Sequence, residues 1–161
     1  MKKLIVLFIL TVIFPIFYIG CASSKPASQE QMKHEYIKEY PNITKDQIFD
    51  RTMRWISQNF KSAKSVIDYQ EKQAGTIIAK GIIPNINLGG SLNANLGFTL
   101  TLDIKDGKAR FVFDNLIPID PDNGKELTNM SNYERVHLRA NKEFDNIINK
   151  ISAAILTNTD F

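Results

Sequence analysis

Phe98-Thr-Leu-Thr-Leu-Asp-Ile-Lys-Asp-Gly-Lys-Ala-Arg-Phe-Val-Phe113 is the stretch that decides the fold. Phe98, Leu100, Leu102 and Ile104 alternate with polar residues, the period of a strand with one buried face. Asp106-Gly107 is the strongest short hairpin signal, and a type I′ turn there sets both residues at positive φ. A two-residue loop places Lys105 opposite Lys108, and the rest of the pairing follows. Ile104 meets Ala109, Leu102 meets Phe111 and Leu100 meets Phe113 on one face, while Asp103 meets Arg110 and Thr101 meets Val112 on the other. Apolar opposes apolar and acid opposes base, so both faces specify one register.

Upstream of this hairpin, Thr76 to Ile83 is rich in β-formers, and residues 84–97 alternate apolar residues with asparagines around Gly89-Gly90-Ser91. A three-residue loop there sets Leu88 against Leu92, Ile86 against Ala94 and Ile82 against Phe98, with Asn87–Asn93 and Asn85–Asn95 on the opposite face. At about 3.3 Å per residue this hairpin reaches about 40 Å. Two outcomes are open. A long helix covers it, or Ile86, Leu88, Leu92 and Leu96 form an exposed apolar strip at its tip. Such a strip on a soluble domain meets a partner, so these four are the candidate contact residues.

Two helices are expected. Thr44 with Gln47 three residues later forms a capping box, Ile43 and Ile48 a hydrophobic staple. Ile48, Phe49, Thr52, Met53, Ile56 and Phe60 then repeat at helical spacing over residues 45–60, with Trp55 flanking the stripe. The second helix starts near Ser131, with Glu134 as capping partner, and presents Tyr133, Val136, Ala140, Phe144, Ile147, Ile148, Ile151 and Ile155 on one face. At 1.5 Å per residue it spans about 39 Å over residues 131–156, long enough to cover the hairpin. His34 to Tyr40 and Ser65 to Gln70 read as further strands. Asn115 to Leu127, with Pro118 and Pro121-Asp122-Asn123-Gly124, reads as a loop of turn residues. The element order is β-α-β-β-β-β-α, an α+β fold.

Phe49-Asp50-Arg51, Trp55-Ile56, Asn59 through Ile67 and Ala74-Gly75-Thr76-Ile77-Ile78-Ala79-Lys80-Gly81 resemble a family of bacterial envelope proteins. That family is described as a domain of unknown function with a TATA-binding-protein-like (TBP-like) fold. The resemblance covers most of residues 33–156 and is sharpest in 46–81. It implies an antiparallel sheet of about five strands with helices on one face, and no activity, cofactor or catalytic residue. "TATA-binding" here describes shape, and shape does not imply function.

The N-terminus speaks of location. Lys2 and Lys3 precede an apolar run from Leu4 to Ile19, and Gly20-Cys21 closes it. A charged start, an apolar core and a small residue before the cut mark a signal peptide. The cysteine makes it resemble a bacterial lipoprotein signal, with Tyr18 in place of the usual leucine. The resemblance implies removal of residues 1–20 and acylation of Cys21, by which the chain holds to a membrane. Ala22 is not the aspartate that retains such lipoproteins inside, which favours the outer membrane over the inner. A transmembrane anchor is the alternative, although the run is shorter than the roughly 20 residues a span needs. Residues 21–32 then form the lipidated cysteine and a polar tether, and 33–158 a single domain.

Without residues 1–20, the chain of 161 keeps 141 residues, and 18 basic against 17 acidic groups leave a net charge of +1. That gives no electrostatic footprint for nucleic acid. Cys21 is the sole cysteine, which excludes disulfides, cysteine-based zinc sites and thiol catalysis.

Candidate chemistry is sparse. His137, with Glu134 one turn before and Asn141 one turn after, is the one arrangement that suits a hydrolase, against a plain boundary histidine. His34 sits beside the tether. Asp120-Pro121-Asp122-Asn123-Gly124 lacks the glycine at six and glutamate at twelve of a calcium loop and reads as a turn. Gly89-Gly90 lacks the spacing of a phosphate cradle. Lys61, Lys64, Lys72 and Lys80 suggest a patch for anionic lipid, but Asp68 and Glu71 among them favour a mixed solvated face. No metal, cofactor or catalytic set is expected. The expected function is a membrane-anchored, non-catalytic envelope module contacting a protein, glycan or lipid, with a small hydrolase using His137 as the alternative.

Overall fold

Leu102 and Phe111 face each other at the centre of the sheet, and both are fully buried in the computed structural model. The structure describes residues 26–28, 32, 34–60, 66–89, 91–127, 129 and 134–157. Strand β1 is His34–Glu39, helix α1 Lys45–Asn59, β2 Ile67–Glu71, β3 Thr76–Gly89, β4 Leu92–Lys105, β5 Lys108–Ile119 and helix α2 Glu134–Leu156. The five strands form one antiparallel sheet in the order β1-β5-β4-β3-β2. This is the expected α+β architecture, β-α-β-β-β-β-α.

The β4–β5 register is the one read from the sequence, from Lys105 opposite Lys108 to Leu100 opposite Phe113. The turn itself differs. Gly107 has φ +72°, whereas Asp106 is not at positive φ, so the turn is not type I′. Contacts to another segment explain this. The Lys45 N–H donates to Asp106 Oδ1 at 2.7 Å, Gly107 N–H to Ile43 O at 2.9 Å, and Tyr40 N–H to Gly107 O at 2.7 Å. Asp106 thus serves the start of α1, where a carboxylate also suits the positive end of the helix.

α1 carries the expected capping box. Gln47 N–H donates to Thr44 Oγ1, and Thr44 N–H to Gln47 Oε1 at 3.0 Å. Ile48, Phe49, Thr52 and Ile56 turn inward. α2 packs antiparallel to α1: Arg51 Nη1 donates to Ile155 O at 2.6 Å, which satisfies a carbonyl at the end of α2. Val136, Ala140, Phe144, Ile148, Ile151 and Ile155 of α2 are buried, as its spacing predicts. Ser131, its expected cap, lies outside the described residues.

Two asparagines reshape the outer half of the sheet. Asn85 (φ 55°) lies where β3 shifts register against β4, and Asn115 (φ 50°) where β5 does. Both are bulges, at which a left-handed residue lets one strand carry an extra position. The expected Ile82–Phe98 pairing therefore does not form. Gly81 opposes Phe98, Ile82 opposes Gly97 and is 62% exposed, and Ile83 turns into the core. At the tip Gly89 pairs with Leu92, shortening the expected three-residue loop. The reading of Asn115 to Leu127 as loop is also corrected, because β5 continues to Ile119. Pro118 fits there because its carbonyl accepts from Leu127 N–H, on the side away from β4, so its missing N–H costs the ladder nothing.

Candidate functional site

The four residues expected as a contact strip are mostly core. Ile86, Leu88 and Leu96 are 6%, 4% and 0% exposed, and only Leu92, at 41%, reaches solvent. The cause is the reach of α2. Its first turn extends to the hairpin, where Arg135 Nη1 donates to Leu88 O at 3.3 Å and Val136 is buried beside it. Of the two outcomes left open by the sequence, covering is the one observed. Cys21 lies outside the described residues. Among those described, no helix is long and apolar enough to cross a membrane.

The two histidines of the chain, distant in sequence, meet in the fold. His34 opens β1 and His137 lies in the first turns of α2; they are 2% and 5% exposed. His34 Nε2 is 2.8 Å from His137 Nδ1, and His34 Nδ1 is 2.5 Å from Asn141 Oδ1. An amide oxygen only accepts, so His34 Nδ1 carries the proton, its Nε2 accepts, and His137 Nδ1–H donates. Tyr36 OH donates to the same Asn141 oxygen at 3.1 Å. The rings lie almost parallel, at 10° and 5.1 Å between centroids, and the ring of Phe144 meets that of His34 at 72° and 5.2 Å. Burial pushes His34 below the ordinary imidazole range, and its bond to Asn141 partly offsets this. Burial and the charge of Asp145 raise Tyr36. Asn141 therefore orients His34, not His137 as the hydrolase alternative requires. His137 is no boundary histidine but part of a buried network.

A cleft opens where α1 ends beside α2 and β3. About 280 Å³ in volume, it is walled by Trp55, Asn59 and Phe60 of α1's end and by Glu143, Asn146, Ile147 and Lys150 of α2. Ile83 and Phe98 form its floor, with Ile82 and Pro84 on the outer lip. Trp55 meets Phe60 edge-to-face at 5.7 Å. Asn59 Nδ2 donates to Trp55 O at 2.9 Å and Asn146 Nδ2 to Glu143 Oε2 at 3.3 Å, which aligns both amides along the opening. Aromatic walls with a few placed amides and charges are the makeup of a ligand site. Sequence reading missed this cleft. Its signal was Trp55, set off the apolar stripe of its helix, together with Glu143, Asn146, Ile147 and Lys150 at one-turn spacing.

Elsewhere, charges pair locally. Lys72 bonds both oxygens of Asp50, which raises its ammonium, and Lys80 meets Asp68 at 2.9 Å. These pairs make the mixed solvated face expected there; Lys61 and Lys64 lie outside the described residues. Asp120 folds on its own turn, accepting from Asp122 N–H and Asn123 Nδ2 at 2.9 Å each, so its oxygens are occupied.

This strand order with two helices on one face defines a TBP-like fold. The chain belongs to the family described as a domain of unknown function (DUF4468) with TBP-like fold, which matches residues 35–117, just over half its length. A TBP-like protein from Parabacteroides distasonis superposes with a TM-score of 0.63 at 14% identity, over 82% of this chain and 97% of that one. A DUF4468 family protein from Bacteroides ovatus gives 0.58 at 13% identity, over 87% and 95%. At such identities the likeness is one of fold. No curated protein matches the chain.

Proposed function

We propose that this chain is an envelope lipoprotein whose TBP-like domain is a non-catalytic binding module. A lipid on Cys21 holds it to a membrane, the outer rather than the inner, and the cleft between α1 and α2 takes an envelope protein, glycan or lipid. Lys2-Lys3, the apolar run and Gly20-Cys21 support the anchoring. The observation that carries the binding reading is the aromatic opening at Trp55, Phe60 and Phe98, lined with amides and charges. The hydrolase alternative has little support: His137 is 5% exposed, and its Nδ1 is engaged by His34.

Labelled palmitate tests the anchor. The wild-type chain takes up label, and Cys21→Ser leaves an unlabelled, uncut precursor; a wild type without label refutes the lipid. Because the chain's one cysteine, Cys21, has its sulfur taken up by the lipid, Asn146→Cys gives a uniquely addressable thiol for a photo-crosslinker in the cleft. Specific adducts are expected from this site and not from Ile37→Cys on the opposite sheet face. Equal adducts from both would remove the cleft from the reading.

A further inference from the structure

We propose that the His34–His137 pair is an acid-sensitive latch, holding the start of β1 to α2 at neutral pH and releasing it when both rings are protonated. The proton count follows from the geometry. With both rings neutral, His137 Nδ1–H donates to His34 Nε2, and His34 Nδ1–H donates to Asn141. One added proton is accommodated. It occupies His34 Nε2, His137 moves its own proton to Nε2, and the bond survives with its direction reversed. A second proton is not accommodated. Both facing nitrogens then carry hydrogen, nothing accepts, and two cations lie 2.8 Å apart in a buried place.

The surroundings favour this order of events. On β1 the neighbours are Tyr36, which shares Asn141, and Glu35 on the other sheet face, 3.9 Å from Arg110. On α2 they are Glu134, one turn before His137, and Asp145, whose charge acts on Tyr36. β5 and β4 offer the uncharged rings of Phe113 and Phe98. The first positive charge on the pair keeps the hydrogen bond of His34 to Asn141, which favours the protonated ring. Against a second stand the burial of both rings and the positive end of α2, in whose first turns His137 lies. β1 is an edge strand of six residues, joined to the sheet only through β5. Losing the latch therefore frees its first residues without dismantling the core.

The test is amide exchange and ring titration by NMR on the full chain. Protection of Glu35–Ile37 should fall at least tenfold from pH 7.5 to 4.5, while Leu100–Leu102 stay protected. His137→Asn keeps a hydrogen-bonding atom near the Nδ1 position without a second charge and should abolish that fall. Unchanged β1 protection, or the same fall in the variant, overturns the latch. Should the variant not fold, the wild-type rings decide. Two separate steps, with β1 opening on the second, support the proposal; one shared step at the ordinary 6.5 refutes it.

Discussion

Gly81 offers a direct test of the packing between β3 and β4. An ideal Cβ there lies 2.2 Å from Phe98 Cζ and 2.7 and 2.9 Å from its Cε atoms, against an ordinary contact of 3.4 Å or more. Gly81→Ala thus demands that the ring retreat by about 1.2 Å. Inward it has no room, and outward it can move only by pushing up into the cleft whose floor it forms. Phe113 and Phe144 sit with centroids 5.6 and 5.5 Å from it and are stacked on each other at 4.0 Å. Forcing one methyl into a filled core costs about 1–3 kcal/mol. With an m-value of about 2 kcal/mol/M, the urea midpoint should drop by roughly 1 M. Trp55, the only tryptophan, reports the unfolding by fluorescence. Phe98→Leu alone should cost about 1–2 kcal/mol, through lost ring contacts. Combined, the new methyl fills space the ring has left, so the double variant should fall short of the sum by about 1 kcal/mol or more. Strict additivity, or Gly81→Ala at wild-type stability, would refute this account of the contact.

Phe111→Ala should cost about 3–5 kcal/mol in urea unfolding, because the ring is fully buried between Leu102 and Tyr36 across the sheet. Arg110→Ala, on the solvent face with Asp103, should cost less than about 1 kcal/mol, and equal losses at the two positions would mean the faces are misassigned. Asp106→Ala should cost about 1 kcal/mol and speed exchange of the Lys45 amide, which would stay slow if the cap contributed nothing. Stability should also fall with acid. His34 is lowered in the fold from 6.5, so the unfolded chain binds the proton first. Its contribution is complete above that value and is lost as pH drops through it towards the folded pKa. His34→Gln should flatten this part of a pH series of urea midpoints, and an unaltered series counts against it.

What could be read from the sequence was whatever repeats locally. The 98–113 hairpin declared itself twice, by apolar alternation and by the Asp103–Arg110 pair, and Thr44 with Gln47 announced α1 within four residues. Reading failed where one residue breaks a period. Asn85 and Asn115 look like ordinary turn asparagines, yet each inserts a position into a strand and turns the following side chains to the other face. Straight alternation through Pro84-Asn85 therefore put Ile82 on the wrong side. Pro118 reads as part of a loop because nothing local shows that its nitrogen faces away from the ladder. The histidine pair was beyond local reading altogether, since it depends on α2 crossing β1 at the far end of the sheet. The cleft likewise needs the relative lengths of two helices, which only packing decides.

The position of β1 imposes an order on the birth of the molecule. His34 leaves the ribosome early, but its partner Phe113 lies in the last strand, and His137 and Asn141 come later still. The first strand must therefore wait, unpaired, through roughly eighty residues of synthesis, and such distant pairings are slow to close. The meander β2 to β5 can assemble from neighbours alone, whereas β1 and α2 join it together at the end. A chain arrested before α2 appears would hold a sheet whose inner face α1 covers only in part, the state in which aggregation competes with folding.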